Sequence, residues 1–159
     1  MKPYADTNFI ARLYLSLPGT IEAVETMRRL QDNNRESLPI TWHHRLETIN
    51  AFQLLVFASA QSPHQPRVTA EQAALALMTF RDDLSNPAFF QETPMPLAEL
   101  ERQFEELVLR HTAKHGFRTY DLLHVASALV LNCDTFWSFD AKTTKLAALE
   151  GLRNLGLNK

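Results

Sequence analysis

Cysteine is almost missing from this chain: Cys133 is the single one among 159 residues. One cysteine excludes an internal disulfide and a zinc site built on several thiolates, and it suits a reducing compartment, so a cytoplasmic protein is expected. Long hydrophobic runs are absent too. Unbroken apolar stretches such as Leu54–Ala58 fall far short of the ~18 residues that a bilayer-spanning helix requires. The opening MKPYADT carries no apolar targeting run, so neither secretion nor membrane insertion is expected. Charge of one sign is scarce, with 16 Lys+Arg against 18 Asp+Glu and a net −2. Such a chain lacks the broad basic surface that holds nucleic acid non-specifically, so any contact with it must be local. There is no HExxH pattern and no glycine-rich phosphate loop, the chain having only four glycines. What is there is an ordinary balance of 45% hydrophobic and 21% charged residues, enough for a buried core and consistent with one domain over residues 1–159.

Strand and helix signals alternate along the chain. Pro3–Asp6 reads as a short strand, followed by a helix carrying Ile10, Leu13, Tyr14 and Leu17 at 3/4 spacing. Pro18-Gly19 breaks that helix; Ile21, Val24, Met27 and Leu30 mark a second one, which ends near Asn33-Asn34. A strand is expected at Ser37–Thr41, then a helical pair over about 42–84, its halves separated by the Pro63 and Pro66 loop. The first half carries Leu46, Ile49, Phe52 and Val56, the second Ala73, Leu77, Phe80 and Leu84. Phe89–Thr93 reads as a third strand, and a helix with Leu97, Leu100, Phe104, Leu107 and His111 on one side runs to Gly116. Thr119 is placed to cap the next helix, whose body, Leu122–Leu131, is apolar on nearly every face except at His124 and Ser127. A buried strand at Thr135–Phe139, a helix from Lys142 to Glu150 and a last short strand near Leu152–Leu155 complete the chain. This alternation predicts an α/β domain with a central, mostly parallel sheet and helices on both faces.

In an open parallel sheet, ligands bind beyond the carboxyl ends of the strands, so the residues that follow each strand are the informative ones. Asp6-Thr7-Asn8 follows the first strand, Thr41 leads into the helix that bears Glu47, and Ser138-Phe139-Asp140 ends the Thr135–Phe139 strand. A fourth acid, Asp121, opens the central helix. Singly, Asp6, Asp121 and Asp140 read equally well as helix caps or first-turn acids, and Glu47 as a solvated face residue. Gathered at one sheet edge they repel one another until a cation neutralises them, which suits a hard divalent ion, Mg²⁺ or Mn²⁺, better than zinc. His44, Glu47 and Asn50, spaced i, i+3 and i+6, share one helix side. His44, Asn50, Arg118, His124 and Lys142 are candidate substrate contacts, with Arg45 and Lys145 also flanking the acids.

Four segments resemble the PIN domain family, in particular its VapC-type ribonuclease toxins: YADTNFIARLY (Tyr4–Tyr14), ITWHHRLETINAF (Ile40–Phe52), RTYDLLHVASAL (Arg118–Leu129) and FWSFDAKTTKLA (Phe136–Ala147). The first-strand Asp-Thr and the DxxHxAxA-type helix are the most specific of them; Trp42, His43 and His44 are not general features of the family. The resemblance implies a PIN-like three-layer α/β/α domain with a central mostly parallel sheet. It also implies a metal-dependent endoribonuclease in which Asp6, Glu47, Asp121 and Asp140 hold Mg²⁺ or Mn²⁺, and Thr7 and Ser138 support them. Expected partners are RNA, a small antitoxin protein and a second copy of the chain, for which apolar residues in excess of one face on the 42–84 pair offer a surface. Two other readings fit the same strand-end logic: a PIN-fold module that binds RNA or protein without cleaving, and a phosphotransfer domain with Asp6 as nucleophile. The latter is weakened because Asp6-Thr7-Asn8 has no second acid two residues on.

Overall fold

The strands are short and pair in parallel throughout the computed structural model, which describes residues 1–34, 37–62 and 64–154. β1 (Pro3–Ala5) pairs with β4 (Thr135–Trp137), and β4 with β5 (Arg153–Asn154), in the order β1-β4-β5. β2 (Leu38–Ile40) pairs with β3 (Phe90–Glu92) in a second, two-stranded sheet. The chain divides in the same way into a terminal unit, residues 1–6 with 94–159, and a middle unit, residues 7–93. Parallel pairing and alternating helices are as expected, but among the described residues the strands form two sheets rather than one.

The middle unit holds α1 (Thr7–Tyr14), α2 (Thr20–Asn34), α3 (Trp42–Gln61) and α4 (Ala70–Leu84) around β2 and β3. α1 packs on α2, α3 and α4, and α3 on α4. Edge-to-face contacts join Tyr14, Phe52, Phe80 and Phe90 with ring centroids 5.5–6.3 Å apart, pairs that add about 0.5–1.5 kcal/mol each beyond the area they bury. α4 begins on a reciprocal cap. The Gln72 N–H donates to Thr69 Oγ1 at 3.2 Å, and the Thr69 N–H to Gln72 Oε1 at 2.9 Å. α3 departs from its expected face: Leu46 is exposed, and His43, His44, Thr48 and Phe52 are the buried residues. Pro63, in the loop that follows, lies outside the described residues.

In the terminal unit, α5 (Leu97–Leu107) continues through a π-helical turn, Val108–Thr112, into α6 (Ala113–His115). Gly116 stops this rod in the left-handed conformation, φ 64°, which a residue with a Cβ adopts only under strain. α7 (Thr119–Val130) is buried on most faces and packs between α5 and α8 (Ala141–Leu149). Tyr4, Leu100, Leu107, Leu122, Val125, Phe136 and Leu146 lie in its shared core, where each large side chain contributes roughly 1.5–3 kcal/mol. Thr119 proves to be the first helical residue of α7, and Arg118 takes the cap position because its backbone N–H is held by Asp121 Oδ2 at 3.0 Å. β4 is shorter than expected, ending at Trp137, so Ser138 leaves the ladder. Leu155, expected at the end of the last strand, lies outside the described residues.

Candidate active site

Asp6 stands immediately past β1, and its N–H donates to the Trp137 carbonyl at 3.1 Å, which fixes it at the carboxyl end of the β1–β4 ladder. Ser138, the residue after β4, donates from Oγ to Asp6 Oδ2 at 2.6 Å. The same Oγ accepts the Asp140 N–H at 2.9 Å, so one hydroxyl ties the two strand-end acids together. Asp140 caps α8 through Oδ1, which accepts the N–H groups of Lys142 at 2.8 Å and Thr143 at 2.9 Å. Thr143 Oγ1 donates to Asp121 Oδ1 at 3.0 Å and lies 3.3 Å from Asp140 Oδ1. A continuous path, Asp6–Ser138–Asp140–Thr143–Asp121, thus joins three aspartates through two hydroxyls and the Asp140 backbone N–H.

Asp6, Asp121, Ser138 and Thr143 are buried, while Asp140 is half-buried and keeps one side toward solvent. The exposed Arg118 guanidinium sits beside the group, 3.6 Å from Asp121 Oδ2 and 3.7 Å from Asp140 Oδ2. Three carboxylates in one group repel one another, and the oxygens they present are hard donors. Thr143 was not singled out from the sequence. Its one signal is its place three residues after Asp140, where a hydroxyl in the first helical turn reaches back over the cap.

The remaining candidates take varied positions. In the middle unit, Thr7 Oγ1 donates to Glu47 Oε2 at 2.7 Å, bridging the start of α1 to α3. His44 is fully buried, and its Nδ1 accepts the Thr41 backbone N–H at 3.1 Å. Since that N–H can only donate, Nδ1 is the acceptor in this contact. His43 stacks on it with centroids 4.9 Å apart. Asn50 is exposed on the same helix. In the terminal unit, the buried His124 places Nδ1 3.0 Å from the Tyr4 hydroxyl and meets that ring edge-on. Lys142 is exposed and donates from Nζ to the Gly116 carbonyl at 2.8 Å. Trp137 is fully buried and Trp42 is exposed.

No family model matches the sequence, and no curated protein sequence matches it. Among solved structures, the chain is similar to Mycobacterium tuberculosis VapC20, a sarcin–ricin loop cleaving toxin. The TM-score is 0.54 at 20% identity, over 90% of this chain and 93% of that one. With its parallel β1-β4-β5 sheet and alternating helices, this chain has a PIN-like α/β/α fold, the fold of that structure.

Proposed function

We propose that this protein is a divalent-metal-dependent endoribonuclease and the toxin of a toxin–antitoxin pair. The observation that carries this reading is the hydroxyl-linked group Asp6, Asp121 and Asp140 at the carboxyl ends of β1 and β4. Its all-oxygen donor set and surplus negative charge fit Mg²⁺ or Mn²⁺. A bound ion of this kind lowers the pKa of a water to near neutrality and offsets charge on the phosphoryl oxygens. The three aspartates supply the oxygens that hold it, and Glu47 is the fourth acid by its motif. Ser138 and Thr143 keep the aspartates in place by donating to them, and Thr7 does the same for Glu47. Arg118 and Lys142, both exposed, meet the RNA backbone. His44 and His124, buried and bonded at Nδ1, hold the surrounding structure, and Asn50 on the open side of α3 contacts phosphate.

The partner reading follows from the middle unit. Leu54, Phe57, Leu75 and Met78 expose apolar surface on α3 and α4, suited to a second copy of the chain and to an antitoxin. The deciding experiment incubates a mixed cellular RNA pool with the protein in Mn²⁺ or Mg²⁺, with EDTA and Asp6→Ala protein alongside. Discrete fragments that vanish in both controls are expected. Fragments that persist with Asp6→Ala would sink the site assignment, and none with folded, metal-bound protein would favour a PIN-fold binding module.

A further inference from the structure

The chain has five lysines, and three of them, Lys114, Lys142 and Lys145, converge in the terminal unit. The Gly116 turn, at φ 64°, sends the segment after α6 along the first turn of α8. Lys142 Nζ donates to the Gly116 carbonyl at 2.8 Å, and Lys145 Nζ lies 3.4 Å from His115 Nδ1. Lys142 and Lys145 are three residues apart on α8, hence on one face. All three lysines are exposed.

Their neighbours have anionic partners. Arg110 is bound to Glu150 at 2.8 Å, and Arg118 lies against Asp121 and Asp140. Among the described residues, none of the three lysines has a carboxylate within 4.0 Å; the polar partner of Lys142 is a carbonyl and that of Lys145 an imidazole. His115 feels the surplus: partial desolvation first, then the charges of Lys145 and Lys114, hold its imidazole below the ordinary range. In a chain with net charge −2, this is a concentrated strip of uncompensated positive charge. It begins where Arg118 meets Asp140 and runs along α8 away from the acids.

We propose that Lys114, His115, Lys142 and Lys145 form a track for the backbone phosphates of single-stranded RNA, leading the strand away from the Asp121–Asp140 pair. The track rests on the ribonuclease reading for its ligand, yet it makes no use of metal or cleavage. An ammonium held by a carbonyl or an imidazole keeps its charge and two donors for a phosphate oxygen, which an ion pair with a carboxylate would consume. Sequence preference is not expected from such contacts, since phosphates carry none.

The test reads fluorescence anisotropy of a labelled short single-stranded RNA across a salt series in EDTA. K114Q/K145Q is expected to bind about ten-fold more weakly than wild type at low salt, with a log–log salt slope smaller by about 1.4, roughly 0.7 for each lost phosphate contact. K114R/K145R is expected to restore both. R28Q/R29Q, which removes the same charge from exposed sites on α2, is expected to bind as wild type does. The track is overturned if K114Q/K145Q keeps wild-type affinity and slope, or if R28Q/R29Q loses as much. It is equally overturned if wild type does not bind in EDTA, or if poly-aspartate binds the strip more tightly than RNA. A protein that binds along the strip but never cleaves in Mn²⁺ sinks the ribonuclease reading alone. One that cleaves while K114Q/K145Q binds normally sinks the track alone.

Discussion

A single hydroxyl, Thr143 Oγ1, lies within hydrogen-bond distance of two carboxylates, 3.0 Å from Asp121 and 3.3 Å from Asp140. Thr143→Val keeps the shape and removes the donor, so a destabilisation of about 1.5–3 kcal/mol is expected in denaturant unfolding, the usual worth of a bond to a charged acceptor. Thr143→Ser should lose far less, and titration calorimetry should show weaker Mn²⁺ binding for the valine variant only. Asp121→Asn retains the size of the side chain and removes its charge; under the proposed function, cleavage falls about 100-fold or more, which a gel-based rate comparison reads directly. Asp6, Ser138, Asp121 and Asp140 were legible in the sequence because each follows a strand or opens a helix. Thr143 was not, since a threonine in a first helical turn has nothing to set it apart until the turn is folded. The cap made by His44 was not legible for a related reason: it stands where a capping box carries Glu or Gln.

At the scale of elements, the rod from Leu97 to His115 read as one helix, and only the π-helical turn at Val108–Thr112 departs from that. One widened turn barely disturbs a 3.6-residue pattern, so periodicity does not reveal it. The turn presents Arg110 and His111 to Glu150 at the end of α8, with His111 Nε2 2.5 Å from its carboxylate. Burial pushes the Glu150 carboxyl up, but the hydrogen bonds from His111 and Arg110 and their charges outweigh it and leave the pKa below the ordinary value of 4.5. A carboxyl whose pKa is lower folded than unfolded stabilises above its unfolded pKa and ceases to do so as pH falls through the folded one. Wild type is therefore expected to lose stability faster than Glu150→Gln as pH drops below about 4.5, as read by urea unfolding at successive pH values. In the middle unit, Phe80 stands between Tyr14, Phe52 and Phe90. Phe80→Ala should cost about 3–5 kcal/mol, measurable in the same way.

For the whole molecule, alternation of strand and helix was enough to foresee parallel pairing and the α/β class. The division of the described strands into two sheets was not foreseeable, because strands of three residues or fewer are too short to carry any periodicity of their own. The apolar excess on the 42–84 helical pair was also read from the sequence, and Leu54, Phe57, Leu75 and Met78 are exposed there. If this face meets a second copy, sedimentation equilibrium should show concentration-dependent association that Phe57→Glu abolishes without lowering the melting temperature. A monomer at all concentrations would leave the surface to a different protein.

Ser138 and Asp6 are 132 positions apart, and β1, which Asp6 follows, pairs with β4, which Ser138 follows. The contact cannot close until the whole span between them has been synthesised, so the aspartates remain scattered along the nascent polypeptide until both segments have left the ribosome. A break of the backbone anywhere in that span leaves Asp6 on one fragment and Ser138 and Asp140 on the other, held together only by the packing of the fold.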